Sequence, residues 1–259
     1  MQIPIYQIDA FTSRLFGGNP AAVCPLSSWP EDALLQSIAA ENNLSETAFL
    51  VAREEHYELR WFTPATEIDL CGHATLAAAF VVFHYLNIHL ERVVFTSRSG
   101  ELTVSRDGSH LVLDFPVMLP APCQPPTDLA KALGVPPKHV LRSRDYLAVY
   151  EDEQQILDLR PDLERLAGLD CTGVIVTAPG RRADFVSRFF APRVGVAEDP
   201  VTGSAHCTLT PYWAQRLGKK ELQARQLSAR GGELACSLED DRVLIAGEAV
   251  LYLEGSITV

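Results

Sequence analysis

A chain of 259 residues with 47% hydrophobic and 21% charged content can bury the core of one large domain or two ordinary ones, and no stretch is biased enough to stay disordered. The formal net charge of -11 makes nucleic acid and anionic membrane surfaces unfavourable partners, because both are bound through clustered Lys and Arg. Met1 to Tyr6 contains Pro4 and lacks the basic and apolar regions of a secretory signal, so a cytoplasmic protein is expected.

In chain order, Ile3 to Ala10 is β-branched at its start and reads as a strand. A helix is expected over Glu31 to Glu41, entered through Ser28-x-Pro30 with acids in its first turn. Tyr57 to Phe62, Arg92 to Ser97, Leu102 to Arg106 and Leu111 to Phe115 read as strands, the last three as a meander turning at Ser99-Gly100 and Asp107-Gly108. The longest run without Asp, Glu, Lys or Arg spans Leu70 to Leu90 and is broken by His73, His84, Asn87 and His89. Within it, Ala74 to Phe83 is apolar on all sides and predicts a helix buried inside a curved sheet, not a membrane span.

Five prolines between Pro116 and Pro126 preclude a regular helix or central strand and mark a boundary between residues 1–118 and 119–249. Pro161 to Ala167 and Ser204 to Leu217 read as helices, and Pro211 should kink the second or delay its start. None of the cysteines Cys24, Cys71, Cys123, Cys171, Cys207 and Cys236 forms a C-x-x-C pair, so reduced and mostly buried thiols are expected.

The two halves echo each other. Arg60-Trp61-Phe62-Thr63-Pro64 returns as Arg188-Phe189-Phe190-Ala191-Pro192, with Phe62 and Phe190 offset by 128. Asp69-Leu70-Cys71-Gly72-His73-Ala74 is matched by the segment from Asp199 through Gly203-Ser204-Ala205-His206, with Gly72 and Gly203 offset by 131. Ser97-Arg98-Ser99-Gly100-Glu101-Leu102 returns as Ala229-Arg230-Gly231-Gly232-Glu233-Leu234, at an offset of 132. Three matches in one order at nearly one spacing imply two copies of one βα-rich unit.

Gly72-His73-Ala74 and Gly203-Ser204-Ala205 each stand where a loop enters a helix. The free N–H groups and positive dipole end there suit a small anion, and a pseudo-twofold axis would let both hold one carboxylate-bearing substrate in a cleft. Glu46, between Ser45 and Thr47 and followed by Ala48-Phe49-Leu50, is easily half-buried, which suits general acid–base work. No nucleophile elbow, phosphate loop or dinucleotide fingerprint is present. His73 and His206 with Cys71 and Cys207 lack the usual ligand spacing, so no metal is expected.

Asp9-Ala10-Phe11, Gly17-Gly18-Asn19-Pro20-Ala21-Ala22-Val23, Asn43-Leu44-Ser45-Glu46-Thr47-Ala48-Phe49, Gly72-His73-Ala74-Thr75 and Glu198-Asp199-Pro200-Val201-Thr202-Gly203-Ser204-Ala205 together form a motif set that resembles the phenazine-biosynthesis PhzF-like family. The resemblance implies the α+β, diaminopimelate epimerase-like fold: two pseudo-symmetric halves, each with a curved mixed sheet around a central helix, with residues 250–259 returning to the first half. It also implies a homodimer and an isomerase without metal or organic cofactor acting on a small carboxylate-bearing molecule. The namesake enzyme moves a proton between ring carbons of a dihydro-hydroxyanthranilate. Glu46 then matches the catalytic acid/base, His73 and Asp199 the polar groups that assist it, and Asn19, Ser45, Gly72, Gly203 and Ser204 the substrate contacts.

Two departures stand out. Ala74 replaces a residue that tends to be proline in the phenazine enzyme, and Cys71 occupies the place of one catalytic thiol of the related amino-acid epimerases, with Asp199 read at the second. A Cys71-dependent racemase or epimerase of a hydroxy or amino acid is therefore the alternative, and a non-catalytic binding or scaffold protein on the same fold is a third.

Overall fold

The computed structural model describes all 259 residues. Its contacts divide the chain into two compact units, Met1–Asp114 with Ala246–Val259, and Phe115–Ile245.

The first unit opens with strands β1 (Gln2–Ala10) and β2 (Asn19–Leu26), helix α1 (Asp32–Asn42), and strands β3 (Glu46–Ala52), β4 (Tyr57–Phe62) and the short β5 (Glu67–Ile68). Helix α2 (Gly72–Val81) follows, then the meander β6 (Arg92–Ser97), β7 (Gly100–Asp107) and β8 (His110–Pro116). Successive pairings run antiparallel (β1 with β2), parallel (β2 with β3), antiparallel (β3 with β4), parallel (β4 with β6) and antiparallel (β6 with β7). Strands β2 and β3 are buried along nearly their whole length because helices cover both faces, which is why they read as continuous apolar runs. Leu35, Ile38 and Ala39 of α1 pack on Cys24, Phe49 and Phe62 on one side. With a side-chain period of two, Asn19, Ala21, Glu46 and Ala48 point to the opposite face, where α2 lies against β1, β2 and β3.

The second unit comprises β9 (Ala121–Pro122), α3 (Thr127–Leu133), β10 (His139–Arg142), β11 (Tyr146–Val149), α4 (Glu153–Asp158), α5 (Leu163–Ala167), β12 (Val174–Pro179) and β13 (Phe185–Ala191). It continues through β14 (Val196–Asp199), α6 (Gly203–Leu217), β15 (Glu221–Gln226), β16 (Gly232–Glu239) and β17 (Arg242–Gly247), whose last residues enter the first unit. Its pairings follow the same order: antiparallel (β10 with β11), parallel (β11 with β12), antiparallel (β12 with β13), parallel (β13 with β15) and antiparallel (β15 with β16). The final strand β18 (Ala249–Thr258) runs antiparallel to β1 from Gln2↔Thr258 to Ala10↔Ala249.

Several sequence expectations shift. The division falls inside β8, ahead of the proline-rich stretch, because that stretch packs on the second unit: Val117 N–H donates to Asp241 O (2.9 Å) and Ala121 pairs with Arg142. The meander turns at Arg98-Ser99 and Gly108-Ser109, one residue beside the expected places. Helix α1 is capped at Glu31 and not through Ser28. Helix α2 begins two residues earlier than expected and ends in a π-helical turn, Val82–Leu86, closed by Asn87 N–H to Val82 O at 2.7 Å.

Pro211 neither interrupts α6 nor delays its start. The proline deprives Cys207 O of its helical donor, and Met118 N–H takes that place at 3.0 Å. The Arg-x-Phe echo also has a structural cause. Arg60 forms a fork with Glu67 (2.7 and 2.8 Å) beneath which lies Phe62, and Arg188 forms one with Glu198 (2.7 and 2.9 Å) over Phe190. No helix is long and apolar enough to cross a membrane.

Candidate active site

The expected site residues fall into two clusters, one in each unit. In the first unit the β1–β2 connection delivers Asn19 to the head of β2. Gly18 must be glycine there, since its φ is +61° and a Cβ would stand 2.1 Å from Ala10 O. The buried Asp9 carboxylate accepts from Phe16 N–H at 2.8 Å and shapes the same loop. Glu46 heads β3, Cys71 is the N-cap of α2, and His73 lies in the first turn of that helix.

Three of these side chains, Asn19, Glu46 and Cys71, converge on the His73 imidazole. Asn19 Nδ2 lies 3.1 Å and Cys71 Sγ 3.4 Å from His73 Nδ1, and Glu46 Oε2 lies 3.0 Å from Nε2. Glu46 is 9% exposed and His73 4%, so the carboxylate is more deeply buried than its half-buried expectation, because β3 is covered on both faces. The Glu46–His73 contact is close without the alignment of a hydrogen bond, which leaves Glu46 Oε2 and His73 Nε2 with unused hydrogen-bonding capacity. Ser45 adjoins Glu46 at the foot of β3 and is partly exposed, while Gly72 is buried in the first turn of α2.

Burial alone would disfavour a charged His73, but the adjacent Cys71 and Glu46 outweigh it and hold its pKa well above the ordinary histidine value. Burial also pushes the Cys71 thiol up to about 11, with the Glu46 charge adding to it. The thiol is thus protonated at neutral pH. Donor atoms of Glu46, Cys71 and His73 all lie within 4.8 Å of one another. Yet Cys71 meets Nδ1 and Glu46 meets Nε2, opposite nitrogens of one ring, so the three cannot ligate one ion while both contacts persist. The arrangement suits proton handling better than metal binding.

The second cluster surrounds the entrance to α6. Asp199 ends β14, Thr202 is the N-cap, and Gly203 and Ser204 begin the helix. Thr202 Oγ1 donates to Asp199 Oδ2 at 2.5 Å. The two helix entrances differ in access: Cys71, Gly72 and His73 are buried, whereas Ser204 is partly exposed. Arg144, fixed by Asp145, donates from Nη2 to Ser204 Oγ at 3.0 Å, and the buried Asp145 also accepts from Gly173 N–H at 2.9 Å.

Sequence reasoning missed Arg144, Thr202 and Gln226. Thr202 was within reach, because it stands 131 residues after Cys71, the offset that relates Gly72 to Gly203. Both are N-caps of their helices, so the structural counterpart of Cys71 is Thr202 and not Asp199, which lies three residues earlier. His206 is fully buried; its Nδ1 donates to Thr202 O at 2.8 Å, and burial brings its pKa down to about 4.

The family model for phenazine biosynthesis-like proteins (PhzC-PhzF) matches residues 8–255. The chain belongs to this family. It is similar to a Pseudomonas aeruginosa protein named as an uncharacterized isomerase, at 56% identity over 257 residues covering 99% of each chain. It is 44% identical over 292 residues to a human phenazine biosynthesis-like domain-containing protein, with both chains fully covered. The crystal structure of an Enterococcus faecalis PhzF-family protein superposes with a TM-score of 0.98 at 47% identity, covering all of both chains. A hydroxyproline epimerase from Agrobacterium vitis, at 10% identity and a TM-score of 0.64 over 99% of this chain and 92% of its own, shares the fold alone. This PhzF-family chain therefore has the α+β epimerase-like fold and is an isomerase.

Proposed function

We propose that this isomerase moves a proton between two carbons of a small carboxylate-bearing molecule, with Glu46 as the group that takes the proton and returns it. The observation that carries the proposal is the buried Glu46 carboxylate 3.0 Å from Nε2 of the buried His73 imidazole, whose pKa is held well above the ordinary histidine value. A carboxylate screened from water and facing an imidazole can accept a proton from carbon, become the neutral acid and hand the proton to a second carbon of the delocalised carbanion. Proton and charge balance within that cycle, and no oxidant or group donor is needed. His73 provides the Nε2–H against which negative charge develops on the substrate, and Asn19 orients the ring by donating to Nδ1 on its other side.

Asp199 joins the proposal through the family motif that it carries. The partly exposed start of α6, with Gly203, Ser204 and the Arg144 guanidinium, supports recognition of a substrate carboxylate. Ser45 and Gly72 are assigned to substrate contact through the resemblance and their places beside Glu46 and His73.

The test is incubation with metabolite pools in D₂O, reading by mass which compound acquires deuterium, followed by the same assay with Glu46→Gln. That variant keeps the size of the side chain and removes the base. Exchange should fall by roughly two to four orders of magnitude, the span of general acid–base catalysis. Wild-type exchange by a folded Glu46→Gln protein would overturn the mechanism.

A further inference from the structure

Given the assignment of Asp199 to the reaction made above, we propose that Gln226 is a positioning residue that sets the direction and ionisation of the Asp199 carboxylate through Thr202. Gln226 ends β15 and is 1% exposed. Its carboxamide is committed to the loop that enters α6: Oε1 accepts from Thr202 N–H at 2.9 Å, and Nε2 donates to Asp199 O at 2.8 Å and to Thr202 Oγ1 at 3.1 Å.

Those contacts have a direction. An amide nitrogen has no lone pair to offer, so the Thr202 hydroxyl accepts from Gln226 and is left to donate its own proton. The acceptor at 2.5 Å is Asp199 Oδ2. A hydroxyl aimed at a carboxylate favours the charged form, and hydrogen bonds that run in one direction strengthen one another in a buried site. His206 holds the carbonyl of Thr202 from the helix side, and Ser228 Oγ donates to Pro200 O at 2.8 Å, so the peptide between the two ends of the relay is pinned as well. With backbone and hydroxyl both fixed from β15, the Asp199 carboxylate has one preferred orientation before any substrate arrives.

The experiment reads Asp199 itself. Carbon-13 carboxyl titrations are recorded for the wild type, Thr202→Val, Thr202→Ser, Gln226→Met and the double variant Gln226→Met/Thr202→Val. Thr202→Val should raise the Asp199 midpoint by about one unit, a tenfold change in ionisation, and Thr202→Ser should restore it. Gln226→Met should raise it too, and that effect should vanish in the Thr202→Val background, as an influence passed through Thr202 requires. A folded Gln226→Met protein with an unchanged midpoint, or a shift of equal size with and without the Thr202 hydroxyl, overturns the proposal. Should Gln226→Met not fold, Gln226→Asn keeps the amide but shortens its reach, and the same two outcomes decide. No substrate is involved, so the result stands apart from the Glu46 test: exchange that survives Glu46→Gln refutes the base, and an unmoved Asp199 refutes the relay.

Discussion

At the scale of single residues, the thiol beside the proposed base is the sharpest test of mechanism. Cys71 lies 3.4 Å from His73 Nδ1, close enough to suggest chemistry, yet its burial holds it protonated at neutral pH and its counterpart in the second unit is a threonine. Cys71→Ala leaves Asn19 on the same ring nitrogen. It should keep turnover within about one order of magnitude of the wild type. Near-complete loss in a folded protein would instead establish thiol catalysis of the racemase kind. Glu46 and His73 were singled out as candidates from their own segments and Asn19 through the family resemblance, and the fold brings the three together at one imidazole. Gln226 was not, since a lone glutamine at a strand end carries no pattern, and its partners are 24 and 27 residues away.

At the scale of elements, the echo between the halves was legible as matched strings, but only coordinates separate its architectural part from its chemical part. The Arg-x-Phe motif builds a guanidinium fork onto a short neighbouring strand, and both forks are mostly buried, with Arg60 18% and Arg188 12% exposed. Lysine cannot reproduce two parallel N–H···O bonds. Arg60→Lys and Arg188→Lys should therefore each destabilise by about 1.5–3 kcal/mol, the worth of a hydrogen bond to a charged group, while leaving activity per folded molecule intact. Denaturant midpoints and active-site-normalised rates check both halves of that expectation. Helix α4 escaped notice at six residues, although Asp152-x-x-Gln155 spells its capping box in sequence. The π-helical turn after α2 and the rescue of Cys207 O by Met118 had no local signal, because one depends on how a helix end meets its neighbours and the other on a residue 89 positions away.

At the scale of the whole molecule, two histidines bound the pH range of stability from opposite sides. Folded His206 stays neutral down to about pH 4, whereas in the unfolded chain a histidine takes up its proton near 6.5. Unfolding therefore binds a proton in that window, and stability falls as the pH drops from about 6.5 to about 4, by about 2–4 kcal/mol from this residue. His73 acts in reverse: its raised value contributes fully below about 6.5 and is lost as the pH rises through its folded midpoint. In melting curves at a series of pH values, the gap between the wild type and His206→Asn should narrow steadily from neutral pH toward pH 4, and a constant gap would refute this account. The shared order of antiparallel and parallel pairings in the two units agrees with the repeat offsets read from the sequence, while the packing of the proline-rich stretch was not legible, because it follows from backbone hydrogen bonds that any sequence could make.

The pairing of β18 with β1 along their full length also sets an order of events during synthesis. A ribosome emits β1 first and β18 last, with all of residues 115–245 between them. At about 5–20 residues per second, the nascent first unit waits roughly 7–27 s for its closing strand. During that interval one edge of β1 lies open, and the intervening unit is complete before β18 emerges, so on the ribosome the middle of this chain is finished before its beginning.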